Sequence, residues 1–88
     1  MYNHLIDIFL AVAETGSFTG ASKKLYISTT AIMKQINHLE SILKVPLFTR
    51  TARGVVLTKN GEVFRQECQK LIDLPEEIIR KTRQGGET

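Results

Sequence analysis

Two helical segments that begin at serines, with a very short connection between them, dominate the first half of the sequence. Ser17 precedes the run from Phe18 to Leu25, and Ser28 precedes a longer segment expected to continue to about Lys44. Serine is a favoured N-cap because its hydroxyl accepts a hydrogen bond from a backbone N–H of the first helical turn. Only two residues separate the segments, so the sequence predicts a short helix, a tight turn and a longer helix.

The boundaries of the longer segment have further support. Ile27 and Ile32 are spaced as the N′ and N4 residues of a hydrophobic staple, which fixes how the chain enters the helix. Pro46 disfavours the helical conformation at Val45, so the helix should end near Lys44.

A helix is also predicted before these segments, from about residue 3 to 14. Its apolar positions follow the helical repeat and are Leu5, Ile8, Phe9, Val12 and Ala13. Gly16 supplies the stop signal. Ile6 and Leu10 form a second apolar stripe, which predicts that this helix also supports a neighbouring long helix.

The chain changes character after Pro46. Leu47–Arg50 and Val55–Leu57 resemble two short strands around a turn that holds Gly54, which predicts a β-hairpin. Thr58 then precedes a last helix, whose heptad-like apolar seam consists of Phe64, Cys68, Leu71, Pro75, Ile78 and Thr82.

Pro75 should interrupt this last helix. A proline inside a helix costs roughly 3 kcal/mol, so we expect a kink near Asp73–Pro75, a second helical piece to about Thr82 and a frayed end over Gln84–Thr88. The expected organisation is a unit of three helices and a hairpin over residues 1–58, a linker and dimerisation helix over 59–84 and a flexible tail over 85–88.

The net positive charge is concentrated in the middle third of the chain. Residues 28–61 carry five basic side chains against Glu40 alone, a net charge of +4, whereas the whole 88-residue chain carries +3. Such a block fits a partner that carries phosphates, although a solvated basic surface has the same composition.

A helical wheel separates two sides of the third helix. Ile36, Leu39 and Leu43 fall within about 40° of Ile32 at roughly 100° per residue, which predicts the buried side. The opposite side holds Thr30, Lys34, Asn37 and Ser41. Hydroxyl, amide and ammonium groups suit base edges and phosphates, but they also suit an ordinary solvated face.

Other functions find little support. His4 and Asp7 are spaced for a local surface contact, His38 falls at the border between the two sides of the third helix, and Cys68 lies on an apolar seam. We expect no catalytic site, no metal site, no cofactor and no phosphate-binding loop. The longest apolar run is far short of the roughly 20 residues that span a bilayer, no signal peptide is evident, and a lone cysteine fits a reducing cytoplasm.

Three stretches together resemble the N-terminal domain of the LysR-type transcriptional regulators. They are "FLAVAETGSFTGASKKLYIS", "AIMKQINHLE" and "VPLFTRTARGVVLTKNGE", and the resemblance covers residues 1 to about 70. It implies a fold that is mainly α with a small β-hairpin, a winged helix-turn-helix followed by a long linker helix. It also implies binding to double-stranded DNA, and an effector-binding domain that this chain lacks, so that a small-molecule effector would act only through that domain.

The resemblance assigns base recognition to the start of the third helix, here Thr29, Thr30, Met33 and Lys34. The family often carries glutamine, proline or serine, serine and arginine at these positions, so the target sequence of this chain should differ. Lysine lacks the planar fork with which arginine pairs bidentately with guanine. Met33 can offer an apolar contact to a thymine methyl, or it can fill a gap in the core.

Phosphate and wing contacts are expected around these bases. Arg53, beside Gly54, can reach the minor groove. The other residues expected to contact DNA are Ser28, Asn37, Thr49, Arg50 and Thr51.

A homodimer is expected through the last helix. Its predicted contacts are Ile6, Leu10, Phe64, Cys68, Leu71, Ile72 and Ile78. The competing hypothesis is a small helical interaction or dimerisation module whose basic block is incidental.

Overall fold

The computed structural model describes residues 4–72 and 76–85, and within them the chain is mainly helical with one antiparallel hairpin. The elements are α1 His4–Thr15, α2 Phe18–Leu25, α3 Thr29–Leu43, β1 Phe48–Thr51, β2 Gly54–Leu57, α4 Lys59–Ile72 and α5 Glu76–Gly85. The predicted fold class is therefore confirmed. The kink expected at Asp73–Pro75 lies outside the described residues.

The predicted N-caps are confirmed. The Ser17 hydroxyl accepts a 2.7 Å hydrogen bond from the Gly20 N–H, and the Ser28 hydroxyl accepts one of 3.1 Å from the Ala31 N–H. The Thr58 hydroxyl accepts one of 3.0 Å at the start of α4. These local bonds satisfy backbone donors that the first turn of a helix leaves unpaired.

The core lies where α1, α2, α3 and the hairpin meet. Its fully buried side chains include Ile8, Phe9 and Val12 of α1 and Ile32 of α3. Phe9 is central, since its ring lies 5.3 Å from the Phe48 ring and 4.8 Å from the Phe64 ring, measured between centroids. The aromatic contacts therefore join α1 to both the hairpin and α4.

The hairpin begins one residue later than predicted. Leu47 was expected in the first strand, but its N–H donates to the Glu40 side chain and its carbonyl accepts from Thr58. The strands extend instead to Thr51 and Gly54, which pair across a two-residue turn. The prediction failed at Leu47 because tertiary hydrogen bonds take both of its backbone groups.

The end of the chain also differs from the prediction. Gln84 and Gly85 were expected to be frayed, but α5 continues to Gly85. Residues 86–88, which complete the predicted tail, lie outside the described part of the chain.

Candidate nucleic-acid interface

The exposed side of α3 is polar, as the helical wheel predicted. Ile32, Ile36 and Leu39 are buried, whereas Thr30 and Lys34 are exposed. The wheel was wrong for Leu43, which is 36% exposed because it is the last residue of the helix. Asn37 and Ser41 are also exposed. One side of α3 therefore packs in the core, and the opposite side exposes hydroxyl, ammonium and amide groups that could contact a partner.

The first turns of α3 contain the remaining residues predicted to read bases. Thr29 and Met33 are half-buried, whereas Ser28 is exposed and its hydroxyl is engaged in the cap. Met33 thus lies at the border of the exposed side, as its place on the wheel indicated. Part of its thioether side chain remains accessible beside Lys34.

The hairpin forms a wing whose tip presents Arg53. Ala52 and Arg53 form the turn, and the Thr51 hydroxyl accepts a 3.2 Å hydrogen bond from the Arg53 N–H. The same hydroxyl lies 3.1 Å from the Gly54 carbonyl, to which it donates. Thr51 therefore shapes the turn, which directs the exposed Arg53 side chain away from the core.

Arg50 lies in a different environment from Arg53. Arg50 pairs with the buried Val55 across the strands, and cross-strand partners project from the same face of a sheet. Its guanidinium carbon lies 5.2 Å from the centre of the Phe18 ring, a cation–π geometry. Phe18 thus holds Arg50 beside the start of α2, while Thr49 lies on the opposite face of the exposed strand.

The second strand of the wing is attached, close to the tip, to the turn between α1 and α2. The Val55 N–H donates a 3.0 Å hydrogen bond to the Gly16 carbonyl oxygen. Gly54 has a φ of +137°, and a Cβ there would lie 2.3 Å from the same oxygen. The close approach therefore requires glycine at position 54.

Glu40 was missed as a site residue by the sequence reasoning. One carboxylate oxygen accepts hydrogen bonds from the N–H groups of Leu47 and Phe48, at 2.6 and 3.3 Å. Glu40 falls about 80° from Ile32 on the wheel, at the edge of the buried side, and this place was the signal for an inward role. The contact joins α3 to the segment that leads into the wing.

The predicted dimerisation residues differ widely in exposure. Leu71 and Ile78 are 64% and 51% exposed, whereas Cys68 is 2% exposed and Phe64 packs edge-on against Phe9. Burial within the chain leaves Cys68 and Phe64 little surface for a partner. Ile6 and Leu10 are half-buried, and the side chain of Ile72 lies outside the described part of the structure.

Residues considered for other chemistry are dispersed. His4 and His38 are exposed, while burial, with a smaller effect from Glu67, raises the pKa of the Cys68 thiol. Within residues 4–72 and 76–85, no three potential ligands form a group that could hold a metal ion. Over the same ranges, no helix has the length and apolar character needed to cross a membrane.

Known proteins are similar to this chain in sequence and in fold. TfdT, a transcriptional regulator of Cupriavidus pinatubonensis, is 40% identical over 78 residues, which cover 89% of this chain and 34% of that protein. BudR of Klebsiella aerogenes is 41% identical over 75 residues, which cover 85% of this chain and 52% of BudR. The chain therefore spans about a third of one relative and about half of the other.

Two solved structures match nearly end to end. The CbnR_DBD–DNA complex superposes with a TM-score of 0.78 at 31% identity and covers 98% of this chain and 99% of that one. The BenM_DBD complex with catB site 1 DNA gives 0.79 at 32% identity, with 100% and 99% coverage. The family described as bacterial regulatory helix-turn-helix protein, lysR family, matches residues 4–62. The chain therefore belongs to the LysR family of bacterial regulatory proteins.

Proposed function

We propose that this chain binds double-stranded DNA in a sequence-specific manner, as the DNA-binding part of a bacterial transcriptional regulator. The observation that carries the proposal is the polar, cationic side of α3, which lies on a helix-turn-helix followed directly by an arginine-tipped wing. The likeness to CbnR_DBD and BenM_DBD, both solved as complexes with DNA, supports the proposal.

In this proposal α3 enters the major groove with its first two turns. Thr29, Thr30, Met33 and Lys34 contact base edges, because donors, acceptors and methyl groups distinguish the base pairs there. The phosphate contacts come from Ser28, Asn37, Thr49, Arg50 and Thr51. Arg53 approaches the minor groove, where narrow A·T-rich stretches concentrate negative potential.

Binding to a random pool of duplexes, followed by sequencing of the bound fraction, tests this function and identifies the operator. The affinity for the selected duplex should fall steeply between low and physiological salt, because each phosphate contact releases counterions. A scrambled duplex of the same composition is the control. Failure to shift any duplex at low salt would favour the competing interaction module, and equal affinity for both duplexes would remove the specificity claim.

We further propose that two chains associate through the exposed apolar side chains of α4 and α5. Leu71 of α4 and Ile78 of α5 support this proposal because large exposed apolar side chains on helices suit a helix partner. Sedimentation of Leu71→Asp beside Gln66→Asp, a substitution at an exposed polar position of the same helix, provides the test. The first should dissociate the dimer and the second should not. A native chain that stays monomeric at high micromolar concentration would exclude the dimer.

We propose that these residues have no enzymatic activity and no effector site. We also propose that the protein acts in the bacterial cytoplasm, where its DNA partner lies. In this proposal the DNA contacts come from residues before α4, and association occurs through α4 and α5.

A further inference from the structure

The segment between α3 and the wing, residues 44–47, is fixed from both sides and is named here the α3–wing junction. On the α3 side, one carboxylate oxygen of Glu40 accepts hydrogen bonds from the N–H groups of Leu47 and Phe48. A carboxylate makes stronger hydrogen bonds to backbone N–H groups than a neutral acceptor does. Glu40 is half-buried, which limits competition from water.

The start of α4 fixes the other side of the junction. The Thr58 N–H donates a 2.9 Å hydrogen bond to the Leu47 carbonyl, and the Thr58 hydroxyl donates one of 2.7 Å to the Pro46 carbonyl. A Cβ at Gly61 would lie 2.1 Å from the Leu47 carbonyl oxygen, so α4 meets the junction closely. The side chain of Leu47 is completely buried.

These contacts decide where the wing stands relative to α3. Phe48 is the first residue of β1, and its N–H donates one of the two hydrogen bonds to the Glu40 carboxylate. Lys44 ends α3 in a left-handed conformation, and its N–H donates to the Glu40 carbonyl. Glu40 thus ends its own helix through its backbone and sets the first residue of the wing through its side chain.

We propose that Glu40 is a positioning residue for DNA binding, which holds the wing at the distance from α3 that lets both contact one duplex. This inference rests on the proposed DNA-binding function. Glu40 does not touch DNA in this arrangement and acts through the wing. Loss of its carboxylate should therefore weaken the contacts made by Arg53 more than those made by α3.

A double-mutant cycle between Glu40 and Arg53 tests the inference. Arg53→Ala in the native background should lower DNA affinity by roughly tenfold, the effect expected for one specific arginine contact. In a Glu40→Met background, which keeps the side-chain length but removes the acceptor, the same change should cost less than about twofold. Glu62→Gln, which removes one negative charge from an exposed position of α4, is the control background and should leave the tenfold cost intact.

Two further measurements distinguish a loss of stability from a change in the position of the wing. Circular dichroism establishes that each variant is folded at the assay temperature. Glu40→Gln, whose amide oxygen can still accept a backbone N–H, should restore most of the Arg53 contribution. Glu40→Ala, which also lacks the acceptor, replaces Glu40→Met as the test background if Glu40→Met does not fold.

Each remaining outcome has a defined meaning. An Arg53→Ala cost that is equal in the native chain and in the background that lacks the Glu40 acceptor would overturn the inference, and so would an Arg53→Ala cost of zero in the native chain. A native chain that binds no duplex would instead contradict the proposed function itself.

Discussion

The Val55 N–H donates to the Gly16 carbonyl across 3.0 Å, and this bond attaches the wing to the turn between α1 and α2. Gly16 has a φ of +69°, which directs its carbonyl toward the wing after α1 ends. Val55 is buried at the same place. The wing is therefore fixed by the helical core at β2 as well as by the junction before β1.

Gly54→Ala should destabilise the protein by about 2–4 kcal/mol, because the new Cβ would meet the Gly16 oxygen at a backbone conformation that strains alanine. Urea unfolding followed by circular dichroism measures the loss. Gly85→Ala is the matched control, since a Cβ there meets nothing within 4 Å, and its free energy of unfolding should not fall. Equal values for Gly54→Ala and the native chain would contradict the close approach.

Arg50→Met and Arg53→Met should separate the two wing arginines. Arg50→Met removes the cation–π contact with Phe18 and should lower the free energy of unfolding by about 0.5–1 kcal/mol. Arg53→Met changes an exposed side chain at the turn and should leave stability within about 0.5 kcal/mol. Both should weaken DNA binding if the proposed function is right.

The matching measurements are urea unfolding and fluorescence anisotropy with the selected duplex. Phe18→Leu provides a check on the mechanism, because Arg50→Met should cost much less stability in a Phe18→Leu chain than in the native chain. An equal cost in the two chains would show that the ring does not stabilise the guanidinium.

Local features of the fold could be predicted from the sequence, because their interactions span a few residues. The caps at Ser17 and Ser28 and the buried side of α3 depend on spacing alone. The wheel placed Thr30 and Lys34 outward for the same reason. The short helix, turn and longer helix that define the fold therefore followed directly from the order of residues.

Contacts between distant segments could not be predicted in this way. Periodicity shows which side of a helix is apolar, but it does not identify the element that covers it. The seam pattern did not show that Phe64 contacts Phe9 or that Cys68 is buried within this chain, and their predicted contact with a second chain stays a prediction. The hydrogen bonds from Leu47 to Glu40 and Thr58 likewise join segments that only the folded chain brings together.

The thiol of Cys68 should be protected in the folded chain. Burial is the main cause of its raised pKa, and Glu67 adds to the effect. The thiol therefore stays neutral at pH values at which an exposed cysteine begins to ionise. Iodoacetamide at pH 8 should react at least about tenfold more slowly with the folded chain than with the chain in urea, because the thiolate is the nucleophile. Equal labelling rates would contradict the burial.

The same shift predicts a pH dependence of stability. The unfolded thiol ionises near its ordinary pKa of 9.0, whereas the folded thiol ionises at a higher pH. The stabilising contribution of the neutral Cys68 thiol to the free energy of unfolding is therefore fully present below pH 9.0. It is lost as the pH rises through the folded pKa. Cys68→Ala should flatten this part of the stability profile above pH 9.0, as urea unfolding at several pH values would show.

Met33→Ser should change which bases the domain prefers without unfolding it. Met33 is half-buried beside the exposed Lys34, and an apolar thioether on this polar side of α3 suits a thymine methyl group in the major groove. Selection from a random duplex pool should show a weaker preference for thymine at one position. Asn37→Ser, one helical turn further along the same side, is the control and should weaken binding without changing the preferred bases, because Asn37 is proposed to contact phosphate. Reduced stability with an unchanged preference would instead assign Met33 to packing.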